Sequence, residues 1–166
     1  MFVVQRCDIS LELARVLAAG VRAEAAQRGV AMAVTVVDRS GQLVLSERMD
    51  GATPASVHLA QDKAYTASAF GAPTDAWAEV TTPGGADWGM AGSVGGRIMV
   101  LPGGVPVRID GELVGGLGVS GAAPPVDVAC AVAGLAAGMR AVQGLDESAV
   151  LPKPHATIDL SDKQTG

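Results

Sequence analysis

Aromatic side chains are nearly missing from this chain: one tyrosine, two tryptophans and two phenylalanines, 3% of 166 residues. That leaves little to stack on bases, and no Lys/Arg cluster offers a track for phosphates. A net charge of -5 and a pI near 4.9 point the same way, so nucleic acid is excluded as a partner. Only two cysteines occur, Cys7 and Cys130, without C-x-x-C spacing. They are too few for a disulfide framework and are expected as reduced, buried thiols. No apolar run approaches the roughly 20 residues of a membrane span, so no membrane partner is expected. The opening "MFVVQRCDIS" has a four-residue apolar run and no cleavable apolar segment, which gives the cytoplasm as the expected location.

Apolar residues, by contrast, make up 49% of the chain and charged residues only 17%, with 22 glycines. One domain of this size cannot easily hide that much apolar surface within itself, so a homo-oligomer is expected. Residues 1–142 read as a single domain, followed by an extended tail over 143–166 that carries His155.

Residues 10–28 read as a helix capped by Ser10, with a stripe of Leu13, Val16, Leu17, Gly20 and Val21. Glu24, in line with that stripe, is expected to end its buried part near Val21, and Gly29 ends the helix. "MAVTVVD" and "QLVLSERM" form a hairpin across "DRSG". Thr53 and Pro54 open a second helix over 54–71, and a short helix is expected at 74–80. "TTPGGADWGMAGSVGG" (81–96) is a Gly-rich loop too long for a simple connector, and functional or interfacial use is expected of it and of its Trp88. Strands "RIMVL", "VPVRI" and "ELVGGLGVS" follow, the last two joined by Asp110-Gly111. A helix from Pro124 to Val142 closes an α+β domain built on antiparallel hairpins.

The motif "GLGVSG" matches G-x-G-x-x-G, but it sits in a hairpin strand with "AAPP" before the next helix. A dinucleotide site needs it to open a helix after a parallel strand. The glycines are read instead as letting a helix or a neighbouring subunit come close to the sheet. His58 and Asp62, at i and i+4, are two ligands at most, and no H-E-x-x-H accompanies them, so a zinc site is not assigned.

On the helix over 54–71, Val57, Ala60, Ala64, Ala67 and Gly71 form a small-residue stripe for the core. His58 lies near Asp62 and Tyr65, while Lys63, Thr66 and Phe70 line a further face. A solvated His-Asp pair with a snorkelling lysine is the plain alternative. In favour of a site, "RMDGATP" brings Arg48 and Met49 to the helix N-terminus, where free N–H groups and the helix dipole favour an anion.

"VTVVDRSGQLVLSERMDGA", "DKAYTASAFG" and "PGGVPVRIDGELVGGLGVSGA" together resemble the GlcG/HbpS-like haem-binding family, over about residues 10–142. The resemblance implies a profilin-like α+β fold with a five-stranded antiparallel sheet flanked by helices, and compact homo-oligomers. It also implies haem binding or degradation, or a role accessory to catabolic enzymes; a related module is joined to corrinoid adenosyltransferases. Arg48, Asp50, Lys63, Thr66, Phe70, Gly103, Gly104 and Pro106 match its motifs, whereas His58 lies outside them.

Three readings follow. In the first, the chain is an oligomer binding haem or another tetrapyrrole: Arg48 and Lys63 hold propionates, and His58, Tyr65 or Met49 supplies an axial group to the haem iron. Thr66, Trp88 and Gly104 complete its expected ligand-binding set. In the second, it is a cofactor-independent isomerase, dehydratase or decarboxylase acting on a small anionic ligand, with His58 as general acid/base oriented by Asp62. In the third, it is a scaffold subunit without a site of its own.

Overall fold

The computed structural model describes residues 6–144 together with Phe2 and Val4. The expected tail and His155 therefore lie outside the described residues, apart from 143 and 144. Helix α1 (Leu11–Gln27) starts where the Ser10 side chain accepts the Leu13 N–H at 3.1 Å. It buries Ala14, Leu17, Ala18, Val21 and Ala25. The buried face thus runs one turn beyond Val21, because Glu24 turns aside to Arg28 at 2.7 Å instead of entering the core.

Strands β1 (Ala33–Asp38) and β2 (Leu43–Arg48) form the expected hairpin. Its turn is set by Asp38, whose carboxylate accepts the N–H groups of Ser40 and Gln42 at 2.8 and 2.9 Å, and by Gly41 at φ +80°. Helix α2 (Pro54–Phe70) follows, with Pro54 in its first turn and Gly71 as a left-handed C-cap. The short helix expected at 74–80 is a single 3-10 turn, Thr74–Trp77. Strands β3 (Gly104–Ile109) and β4 (Glu112–Ser120) make the second hairpin, and α3 (Pro124–Gln143) ends the fold.

The sheet is antiparallel with strand order β2-β1-β4-β3. Helix α2 covers one face, chiefly β4 and β1; α1 and α3 pack together against the other. On that second side Leu17, Val21, Val34, Val36, Leu117 and Val119 form the core.

The glycines of β4 explain how close α2 comes. A Cβ at Gly118 would lie 2.0 Å from the Ala60 carbonyl oxygen, and one at Gly116 would lie 2.2 Å from that of Ala64. No side chain fits between strand and helix backbone. This is the close approach read from the sequence, and "GLGVSG" is a packing surface within a strand.

Among the described residues four strands are found, not five. "RIMVL" looks like a strand by composition, yet side chains claim its backbone groups first. Thr66 Oγ1 donates to the Arg97 carbonyl (3.2 Å) and accepts the Met99 N–H (2.8 Å). Thr74 Oγ1 donates to the Leu101 carbonyl (2.6 Å) and accepts the Gly104 N–H (3.1 Å). Two buried threonines staple the segment to α2 and the 3-10 turn, so these groups form no ladder.

Helix α3 is long and apolar enough to cross a membrane by length and composition alone, although Asp127 and Arg140 interrupt its apolar run. In this fold its glycines seat it on α1: a Cβ at Gly134 would lie 2.7 Å from Val21 Cγ2, and one at Gly138 would lie 2.5 Å from Leu17 Cδ2. Both cysteines are free, and Cys130 is buried, but Cys7 is exposed because it precedes the first core element.

Candidate functional site

Strand register fixes where Arg48 points. Ala33 pairs with Arg48 on one side and with Ser120 on the other, while Thr35 pairs with Ser46 and Gly118. Gly118 touches α2, so Arg48 and Ser46 emerge on the α2 side of the sheet, at its β2 edge. The 3.1 Å contact between the Thr35 and Ser46 hydroxyls fits this parity. Arg48 is exposed, and among the described residues it forms no ion pair and no side-chain hydrogen bond. Met49 follows it half-buried against the core, its N–H bound to the Met32 carbonyl at 2.9 Å.

Ala60, Ala64 and Ala67 of α2 are fully buried against the sheet, which turns His58, Asp62 and Tyr65 outward. His58 is exposed and makes no hydrogen bond or ion pair among the described residues. Asp62 does not orient it: its Oδ1 lies 3.7 Å from Arg97 Nε. The Arg97 guanidinium carbon also stands 3.8 Å over the centre of the Tyr65 ring. Tyr65 in turn lies on the hairpin turn, where a Cβ at Gly41 would come within 2.6 Å of its ring. The outer face of α2 is therefore a row of His58, Asp62 and Tyr65 with a guanidinium laid across it.

Lys63 is not on that face. It is 2% exposed, and its Nζ donates to Asp127 Oδ2 at 2.7 Å and to the Val119 carbonyl at 2.9 Å. Asp127 Oδ1 accepts the Ala122 N–H at 3.0 Å. Burial lowers the Lys63 pKa below its ordinary value, against the opposing hydrogen bond and charge of Asp127. Gly103 and Gly104 belong to the same arrangement: a Cβ at Gly103 would lie 3.1 Å from Lys63 Nζ, and one at Gly104 would lie 2.5 Å from the Lys63 carbonyl oxygen. Lys63 and Gly104 are thus parts of an internal latch rather than free ligand contacts. Thr66 is likewise buried with its hydroxyl committed to the 97–99 segment.

Trp88 is 64% exposed, in a loop whose backbone-to-backbone hydrogen bonds from Thr81 to Gly96 are all local. Phe70 packs on Trp77 with ring centres 4.9 Å apart, at the far end of α2. A cleft of about 400 Å³ opens there, lined by Arg39, Phe70, Arg108 and Leu113 among others. It is three turns from His58, and its arginines already donate to the carbonyls of Leu113, Gly111 and Gly71. The expected site is therefore brought together in part: His58, Asp62 and Tyr65 share one face, with Arg48 on the same side of the sheet. Sequence reasoning missed Arg97, whose only local signal is a cation closing a glycine-rich loop.

Comparison with known proteins agrees with this architecture. The chain is 36% identical over 113 residues to the corrinoid adenosyltransferase PduO of Salmonella typhimurium, covering 68% of this chain but 34% of that one. It therefore spans about a third of that relative. The crystal structure of Klebsiella pneumoniae protein ORFY superposes with a TM-score of 0.83 and 29% identity, covering 88% of this chain and 98% of that one. A PduOC:heme complex superposes with a TM-score of 0.75 and 32% identity, covering 78% and 94%. The family model described as haem degrading protein HbpS-like matches residues 9–136, and the chain belongs to the HbpS-like family.

Proposed function

We propose that this chain binds haem, or a closely related tetrapyrrole, on the outer face of α2. The observation that carries the reading is His58: a solvent-facing imidazole with no partner among the described residues, in a fold shared with the PduOC:heme complex. The residues present fit such a group. His58 offers an axial nitrogen and Arg48 an uncommitted guanidinium for a propionate. Lys63, Thr66 and Gly104 are left out of the contact set because they are buried and engaged. Bound haem would supply redox-active iron, while the protein's part is to present the imidazole and hold the carboxylates.

The reading extends to a homo-oligomer in the cytoplasm. Helix α3 leaves Val132 and Met139 exposed and carries only Asp127 and Arg140 as charged residues, which suits burial against a second copy. Free Cys7 and Cys130 suit a reducing compartment. The cofactor-independent enzyme has less support, since Asp62 faces Arg97 and leaves His58 without an orienting group.

Adding hemin to the purified chain tests the haem reading. A saturable Soret band near one hemin per chain is expected; absorbance no different from that with an unrelated acidic protein contradicts it.

A further inference from the structure

Among the described residues, Arg22, Arg28, Arg39 and Arg108 donate side-chain hydrogen bonds to protein acceptors. Arg97 is held in place and donates none. Its guanidinium stacks on Tyr65 at 3.8 Å, and the 3.7 Å from its Nε to Asp62 is too long for a hydrogen bond. Its backbone is fixed as well. The Arg97 carbonyl and the Met99 N–H are both bound by Thr66, just after Val94, Gly95 and Gly96 at φ of 53°, 67° and 81°.

A guanidinium stacked on a ring directs its N–H edges sideways, away from the ring face. That planar fork matches a carboxylate with two parallel hydrogen bonds. The Arg97 side chain is 44% exposed and donates no hydrogen bond among the described residues. Asp62, 27% exposed, provides a weak and screened attraction that an incoming carboxylate can replace.

We infer that Arg97 is the carboxylate receptor of the outer α2 face, kept in position by Tyr65 and partly neutralised by Asp62. The ligand group recognised is a carboxylate; its identification with a haem propionate rests on the haem reading above. Asp62 then opposes binding, because its charge lies beside the place the ligand carboxylate takes. This is the reverse of a role as partner to His58.

The test titrates the full chain and its Arg97→Gln, Arg97→Lys and Asp62→Asn variants with hemin, hemin dimethyl ester and protoporphyrin IX. Protoporphyrin IX carries the carboxylates without iron, so it separates their recognition from axial ligation. Arg97→Gln weakens hemin and protoporphyrin IX by about tenfold or more, the effect of losing a charge-assisted contact. Asp62→Asn tightens both by roughly two- to fivefold. Arg97→Lys, which keeps the charge but not the stacked fork, falls between wild type and Arg97→Gln. The dimethyl ester responds to none of the changes. If wild type binds hemin while Arg97→Gln and Asp62→Asn leave its affinity unchanged, the Arg97 assignment is overturned and the haem reading stands. If wild type binds neither porphyrin, both fall.

Discussion

The ammonium of Lys63 and the carboxylate of Asp127 meet at 2.7 Å with 2% and 3% of each residue exposed, joining α2 to the first turn of α3. The other contacts of the pair are also internal: the Val119 carbonyl, the Ala122 N–H, and Gly103 and Gly104 at the start of β3. The pair locks both faces of the sheet to each other across the end of β4.

Breaking the pair on one side strands a buried charge. Lys63→Met is expected to cost about 3–5 kcal/mol, and Lys63→Met with Asp127→Leu to recover most of it. Urea unfolding of the three chains measures this, and a single variant as stable as wild type contradicts the latch.

The same pair gives a pH dependence. Burial, the largest cause, lowers the Lys63 pKa from 10.5, so the folded chain releases this proton at lower pH than the unfolded one. Between the lowered value and 10.5 the unfolded state binds more protons, and stability rises with pH. Below that window both states are protonated and Lys63 contributes no slope. Unfolding midpoints at alkaline pH, measured against the Lys63→Met, Asp127→Leu double variant, should move in favour of wild type as pH rises; movement the other way refutes the direction.

Gly118 sets the distance between α2 and β4. Gly118→Val places methyl groups where the Ala60 carbonyl lies and should destabilise by at least about 1–3 kcal/mol or prevent folding. Gly92→Ala, with nothing within 4 Å, should stay within about 0.5 kcal/mol of wild type. Thermal melts of the pair decide, and equal melting temperatures would show that the close contact is not required.

Thr66 holds the 97–99 segment through one hydroxyl. Thr66→Val keeps the shape and removes both bonds, at an expected cost of about 1–3 kcal/mol and with faster exchange of the Met99 N–H. Hydrogen exchange at Met99 unchanged from wild type would separate the segment from Thr66.

Much of this fold is legible in local sequence. The Ser10 cap, the Asp38–Gln42 turn and Pro54 in the first turn of α2 act within a few residues of themselves, and the Ala60/Ala64/Ala67 face shows in its helical spacing. The errors come from partners far along the chain. "RIMVL" has strand composition, but Thr66 and Thr74, about 30 residues upstream, take its backbone. Lys63 looks like a surface cation until Asp127, 64 residues later, meets it in the core. Asp62 has His58 at i–4, yet faces Arg97, which arrives only after the glycine-rich loop. Local periodicity identifies which face of α2 is outward, and not which distant side chain settles on it.

Hemin titration of wild type beside His58→Ala tests the central claim most directly. His58 is exposed and bears no structural hydrogen bond among the described residues, so the variant should fold as wild type does. The account predicts a saturable Soret band for wild type that is shifted or lost in His58→Ala. Identical spectra and affinities for the two chains would contradict it.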